Sequence, residues 1–171
     1  VLVQAAPIAP RPLQTEQSLS YTDKEAGQGV NLGEMLRRLP GVNTLNTGLS
    51  IAKPVIGGLH SNRVAIVNNA VVLEGQHAPE IDPFSAGTVR VLRGAAAVRY
   101  GVGAFGGAIV LEPAPLRAEP GMGGYLTLGA FSNGRGALAA GSADWHPKEG
   151  ALGLRVQGSV KRAGNLRAPD Y

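Results

Sequence analysis

The chain has 171 residues, a formal net charge of +4 and no cysteine. A chain of this length can bury one core of ordinary size but cannot close a large barrel. The lack of cysteine excludes disulfides and thiolate metal sites, and the 16 basic residues are scattered along the chain, so we expect no nucleic-acid binding.

The N-terminal segment combines a short apolar run with prolines. Val1, Leu2 and Val3 come first, and prolines follow among polar residues up to Pro12. This spacing predicts an extended, poorly packed lead. The chain begins with valine and carries no charged-then-apolar signal peptide, so we expect a processed or excised fragment.

A short helix is predicted to begin after Asn31. This residue is a favourable N-cap, Glu34 stands at the capping-box position, and Pro40-Gly41 ends the helix. Four apolar side chains fall on one helical face, namely Leu32, Met35, Leu36 and Leu39. We expect this face to pack on a core.

Two apolar runs, 64–67 and 70–73, predict a β-hairpin. Asn68-Asn69 joins them, and asparagine tolerates the left-handed backbone that a primed turn requires. The polar, proline-punctuated residues 74–84 then predict a loop.

That loop carries candidate metal ligands. His77, Glu80 and Asp82 lie close together in sequence, and His60 lies in the preceding loop. Imidazole nitrogen and carboxylate oxygen together suit zinc or a similar divalent ion, provided that three or four ligands converge. The sequence does not show convergence, and a solvated loop is the commoner explanation for each residue taken singly.

The glycine-rich residues 88–113 predict a strand, a tight loop and a second strand. Within them, residues 101–106 satisfy G-x-G-x-x-G, a nucleotide-binding pattern that requires a helix after the glycines. Here an apolar β-branched strand follows and ends at Glu112-Pro113. We therefore expect no bound cofactor and no enzymatic activity, and we interpret the glycines as positions of positive φ or close approach.

After a proline-rich linker, the pattern alternates with period two. In residues 151–162 one set is apolar and the other polar: Leu152, Leu154, Val156 and Val160 against Arg155, Gln157, Ser159 and Lys161. Segments 125–131 and 136–145 continue the alternation, which predicts an up-down-up meander. A soluble sheet on a core would show this pattern, and so would the first strands of a membrane barrel.

The glycine-rich stretch resembles the end of the plug domain of TonB-dependent outer-membrane receptors. The residues that match the plug motif are Arg93, Gly94, Tyr100, Gly101, Gly106 and Gly107. The predicted helix followed by Gly41-Val42 matches a second motif of the family. One departure is Ala95, where the family commonly has proline.

The resemblance implies an α+β plug domain, with a mixed β-sheet and short helices, followed by antiparallel strands of a transmembrane β-barrel. It implies an N-terminal lead at 1–12 that includes a possible TonB-box region, a plug at 13–116 and three barrel strands at 117–171. Because a plug precedes the meander, the barrel interpretation is preferred to the soluble one.

The resemblance also implies a function without covalent chemistry. The receptor would import a scarce nutrient (a metal ion, metal chelate or siderophore) across the bacterial outer membrane, and the plug would gate the barrel lumen. The closest resemblance is to a subgroup with metal-uptake members, although this chain lacks the longer loop that the subgroup often has between Gln76 and His77. The alternative is a free-standing soluble plug-like or β-rich binding module.

The implied partners are TonB with its inner-membrane energising complex, outer-membrane lipid, a small ligand or metal, and the remainder of the barrel. Val1, Leu2 and Val3 would contact TonB, although they could equally form a frayed first strand. Arg93 would pair with carboxylates on the barrel wall, or lie solvated at a strand end.

Overall fold

The computed structural model describes residues 16–20, 31–46, 52–73, 81–132, 135–149, 152–162 and 164. They form a five-stranded mixed sheet, a two-stranded hairpin and a three-stranded antiparallel meander. Val1, Leu2, Val3, His77 and Glu80 lie outside the described residues, and so do the predictions made for them. Among the described helices, none has the length and apolar character needed to span a membrane.

The elements follow one another in the predicted order. The strands are β1 Glu16–Ser20, β2 Val42–Asn46, β3 Ala52–Ile56, β4 Val64–Asn68, β5 Val71–Leu73, β6 Thr88–Leu92, β7 Gly107–Glu112, β8 Gly121–Phe131, β9 Gly136–His146 and β10 Leu154–Arg162. The helix α1 spans Leu32–Leu36, and short 3-10 helices span Ser61–Arg63, Pro83–Ser85 and Gly94–Tyr100. A mixed sheet with short helices, followed by antiparallel strands, is therefore confirmed.

The helix α1 begins where its cap predicts. The Asn31 side-chain oxygen accepts a hydrogen bond from the Glu34 amide at 2.9 Å, which satisfies one of the free donors of the first turn. The Glu34 carboxylate accepts a hydrogen bond from the Asn46 amide group at 2.7 Å and so joins the helix to β2.

The mixed sheet has the strand order β1-β6-β7-β4-β5, in which only the β4–β7 pairing is parallel. The predicted β4–β5 hairpin is confirmed, but its turn is one residue later than expected. Asn69 and Ala70 take the left-handed backbone, with φ of 48° and 67°. We call residues 16–112 the sheet domain.

Both faces of the mixed sheet are covered. On one face, apolar side chains of β4, β6 and β7 pack against α1, β2 and β3 in a cluster that includes Met35, Ile56, Val91 and Ile109. On the other, a second cluster joins Ala65, Ala108 and Val110 to the 3-10 segment through Ala97. Burial on both sides explains why residues 108–111 are continuously apolar.

The meander has the strand order β10-β9-β8. Residues pair one to one along both strand pairs, for example Leu154 with Trp145 between β10 and β9, and Phe131 with Gly136 between β8 and β9. Its first strand begins at Gly121, four residues before the expected Tyr125, because Met122 is the single side chain among the glycines of 121–124 and one side chain gives no alternating signal. The apolar residues Leu152, Leu154 and Val156 are exposed rather than folded onto a core.

Candidate functional site

One face of the meander receives the sheet domain at a point that we call the seat. The seat consists of two groups of residues, Asp82, Phe84 and Ser85 on the sheet domain, and Gln157, Ser159 and Lys161 on β10. The strand residues are those that alternation places on the polar face of β10.

The polar part of the seat centres on Asp82. Its carboxylate lies 3.3 Å from the Lys161 ammonium and accepts a hydrogen bond from the Ser159 hydroxyl. The same carboxylate accepts a hydrogen bond from the Phe84 amide at 3.2 Å and so caps the 3-10 helix. Close by, the Gln157 amide group donates to the Ser85 carbonyl at 2.7 Å.

The apolar part of the seat is the Phe84 ring. This residue is 3% exposed and packs with Leu138 and Ala140 of β9 and with the partly buried Phe131 of β8. The Lys161 ammonium lies 6.0 Å from the ring centroid, at the limit for a cation–π contact. The ring therefore places apolar surface beside the Lys161 ammonium.

A second attachment, which we call the staple, holds the linker against the strand ends. Asp144 of β9 lies between two guanidinium groups, 3.6 Å from that of Arg155 and 3.7 Å from that of Arg117. Arg155 also donates hydrogen bonds to the carbonyl oxygens of Ala114 and Pro115, at 2.7 and 2.8 Å. The Asp144 side chain is only 11% exposed.

The opposite face of the meander is apolar and open. Its exposed large side chains are Met122, Leu126, Leu128, Trp145, Leu154, Val156 and Val160. Alternation in the observed register places them all on one side of the sheet. A contiguous apolar surface of this kind marks an interaction with lipid or with another protein.

The predicted metal ligands are only partly described. The His60 ring nitrogen Nδ1 lies 2.9 Å from the Ser61 hydroxyl, whereas Asp82 belongs to the seat. No three His, Cys, Asp or Glu side chains gather into a metal-binding group within the described part of the chain. The set that adds His77 and Glu80 stays a prediction.

Arg93 lies within the sheet domain. Its Nη2 donates to the Gln17 side-chain oxygen at 2.8 Å and to the Pro40 carbonyl oxygen. These bonds join β1 to the turn after α1. Within the described residues these partners belong to the sheet domain and not to the meander, so the expected pairing of Arg93 with the barrel wall stays a prediction.

The motif glycines occupy positions that require glycine. Gly94, Gly101 and Gly107 have φ of 55°, 91° and 147°, which side chains rarely adopt. At Gly106 an added Cβ would lie 2.8 Å from the Leu59 Cβ. Tyr100 packs beside the second cluster, and the Arg99 guanidinium stacks over its ring at 5.0 Å.

Phe84, Ser85 and Asp144 carry no sequence signal that marks them as residues of the seat or the staple. Alternation correctly put Arg155 and its polar neighbours on one face, but it could not say what they contact. The staple also lies beyond sequence reasoning, because Asp144 and the linker meet only through the fold.

A family model described as TonB-dependent Receptor Plug Domain matches residues 12–108. A curated relative, the hemin receptor of Yersinia pestis, is 27% identical over 150 residues, which cover 80% of this chain and 22% of the relative. The chain therefore spans about a fifth of the length of that relative.

Two solved structures are similar in fold. The copper transporter OprC superposes with a TM-score of 0.72 at 22% identity, over 88% of this chain and 24% of that chain. The FrpB iron transporter from Neisseria meningitidis gives a TM-score of 0.71 at 19% identity, over 91% and 25% respectively. In both, the similarity extends over the sheet domain and the meander together.

Proposed function

The chain belongs to the TonB-dependent receptor plug domain family, and from this premise we propose that it is the plug and first wall strands of an outer-membrane import receptor. The plug corresponds to residues 13–116 and the strands to 117–171, with a lead at 1–12. One observation carries the proposal: the meander presents a polar face to the sheet domain and an exposed apolar face on the other side.

A bilayer explains the exposed apolar face. Strands of a membrane barrel alternate between outward apolar and inward polar side chains, and the observed faces fit that arrangement. In water, an open row such as Leu126, Leu128 and Val160 would favour aggregation. Surrounding hydrocarbon removes that cost, which supports a location in the bacterial outer membrane.

The size of the proposed barrel explains why it needs a plug. Unpaired backbone groups are costly in hydrocarbon, so spanning strands must close into a barrel. Barrels of about 22 strands enclose a lumen that needs a plug. Three strands form only a small part of such a wall, and the rest of the barrel is the partner that encloses the sheet domain.

We infer a metal-bearing cargo, which could be a metal ion, a chelate or a siderophore. The relatives named above are receptors or transporters for hemin, copper and iron, and His60, His77, Glu80 and Asp82 add a donor set that suits a divalent ion. Import by movement of the plug requires no covalent step and no resident cofactor.

TonB and its inner-membrane energising complex are the proposed source of energy. The apolar residues Val1, Leu2 and Val3 precede the plug at the position from which a partner strand could pull on it. The start of β1 at Glu16 would transmit that pull into the mixed sheet, because Glu16 pairs with Leu92.

The test uses cells that make the protein at its full natural length. Uptake of labelled hemin, iron chelates and copper is measured in strains with and without TonB, and the protein is sought in the outer-membrane fraction. We expect TonB-dependent uptake of at least one cargo. Recovery as a soluble folded protein, without such uptake, would contradict the proposal and favour the binding module.

The donor set has a test of its own. Replacing His60 and His77 together by glutamine should lower uptake of the cargo while leaving the amount of protein in the outer membrane unchanged. His146 provides the matched control, because its Nδ1 lies 2.9 Å from the neighbouring Pro147 carbonyl and it is far along the chain from the loop. Unchanged uptake in the double variant would remove these histidines from the cargo site.

A further inference from the structure

The seat and the staple differ in how far the two sides of each contact can separate. The staple binds the linker, and the linker is covalently continuous with β8, so the two sides of the staple cannot separate widely. The seat joins residues 77 positions apart, Asp82 and Ser159, which only non-covalent contacts hold together.

The two attachments also differ in their electrostatics. At the staple, one carboxylate lies between two guanidinium groups, and Arg155 makes two further bonds to backbone carbonyls. At the seat, one carboxylate faces one ammonium, and both of these side chains are about one third exposed. Planar guanidinium groups form the more directional bonds, and exposed pairs are weakened by water.

The seat is nevertheless specific. The Asp82 carboxylate accepts bonds from the Phe84 amide and the Ser159 hydroxyl besides pairing with Lys161, so its position is fixed from both sides. The Phe84 ring fills a small apolar site on β9. The seat therefore depends on one buried ring, one ion pair and a few hydrogen bonds. Such a contact fixes a single geometry, and all of its bonds can break together.

We propose that the seat is the contact that opens when the plug moves, and that the staple stays closed and acts as the pivot. The passage for cargo then opens along the polar face of β9 and β10, beside Ala140 and Ser159. This proposal rests on the proposed import function, since it names the part of the plug that releases during import.

The test exploits the absence of cysteine from the chain. Ser85→Cys with Gln157→Cys places a pair of thiols across the seat at the bond from Gln157 to the Ser85 carbonyl, away from the proposed cargo ligands. Arg117→Cys with Asp144→Cys places a matched pair across the staple. Each pair is closed by an oxidant or a short bifunctional thiol reagent in whole cells that make the full-length receptor. Uptake of the cargo is measured before closure, after closure and, for disulfides, after reduction.

We expect the closed seat pair to lose TonB-dependent uptake and to regain it on reduction, while cargo binding at the cell surface persists. The closed staple pair should retain uptake. Retained uptake with the seat closed would overturn the proposal, and so would loss of uptake in both closed pairs, because the plug would then leave as a whole.

A labelling experiment covers a seat pair that fails to assemble. Separately, Ser159→Cys alone should react faster with a thiol reagent during import than in a strain without TonB, and an unchanged rate would contradict release of the seat. Absence of TonB-dependent uptake in the unmodified receptor would instead refute the import function itself.

Discussion

The Gly106 amide donates a hydrogen bond to the Arg63 carbonyl oxygen at 2.7 Å, which joins the glycine-rich segment to the 3-10 helix before β4. This approach leaves no room for a side chain. An added Cβ would lie 2.8 Å from the Leu59 Cβ and 3.1 Å from the carbonyl oxygens of Arg63 and Ile56.

Gly106→Ala is therefore expected to destabilise the sheet domain by about 1–3 kcal/mol, as overpacking of a closed site does. The measurement is amide hydrogen exchange of β4 in the purified full-length protein, where exchange should become faster. Gly158→Ala is the matched control, because an added Cβ there meets no neighbour within 4 Å. Equal exchange in the two variants would show that the contact is unimportant.

Phe84→Ala should weaken the seat strongly. Removing a buried aromatic ring costs about 3–5 kcal/mol, part of it from the cavity left beside Leu138 and Ala140. We expect the plug to become sensitive to protease at lower urea concentrations. Phe105→Ala is the matched control, since it makes the same substitution at a residue that is 77% exposed. Its effect on protease sensitivity should be small. A larger effect at Phe105 than at Phe84 would be inconsistent with the seat as described.

Arg93→Met should loosen β1. The substitution removes the charged donors that reach Gln17 and the Pro40 carbonyl while keeping an unbranched apolar stem, and such bonds contribute about 1.5–3 kcal/mol each. Amides of β1 should exchange faster. Arg99→Met provides the comparison, since the contact described for Arg99 is with the Tyr100 ring. If β1 exchanges alike in both variants, Arg93 does not hold that strand.

Leu126→Lys tests the outer face of the meander. Leu126 lies halfway along β8 and is 73% exposed. In the proposed barrel, lysine at this position would lie near the middle of the bilayer, at a cost of about 2–4 kcal/mol. The amount of heat-stable folded receptor in the outer membrane should fall. Thr127→Lys, one residue on and directed to the other face, should assemble better. Equal assembly of the two would argue against lipid on this side.

Local patterns predicted most of the fold. The cap at Asn31, the hairpin before Val71 and the alternation in β10 each depend on neighbouring residues, so their signals lie within a few positions of sequence. The turn lies at Asn69 and Ala70, one residue later than the Asn68-Asn69 pair predicts. Both asparagines tolerate the left-handed backbone, so residue type alone does not decide which of them begins the turn.

Contacts between distant residues could not be predicted in the same way. For Arg93 the resemblance implies a charged partner on the barrel wall, which stays a prediction. Its contacts within the described residues are to a side-chain amide and a backbone carbonyl of the sheet domain. Every residue has a backbone carbonyl, so residue type gives no signal for a contact with one. Asp82 is a candidate metal ligand by its sequence neighbours, whereas its position beside Lys161 depends on how the sheet domain meets the meander.

If the meander is part of a barrel wall, as proposed, its open edges constrain how the strands enter a membrane. Within the described sheet, β8 and β10 each pair on one side only, so two rows of backbone amides and carbonyls await partners. Transferring each unpaired peptide group into hydrocarbon would cost roughly several kcal/mol of free energy. Insertion hairpin by hairpin is thus disfavoured, and we expect biogenesis to couple closure of the circle of strands to their entry into lipid.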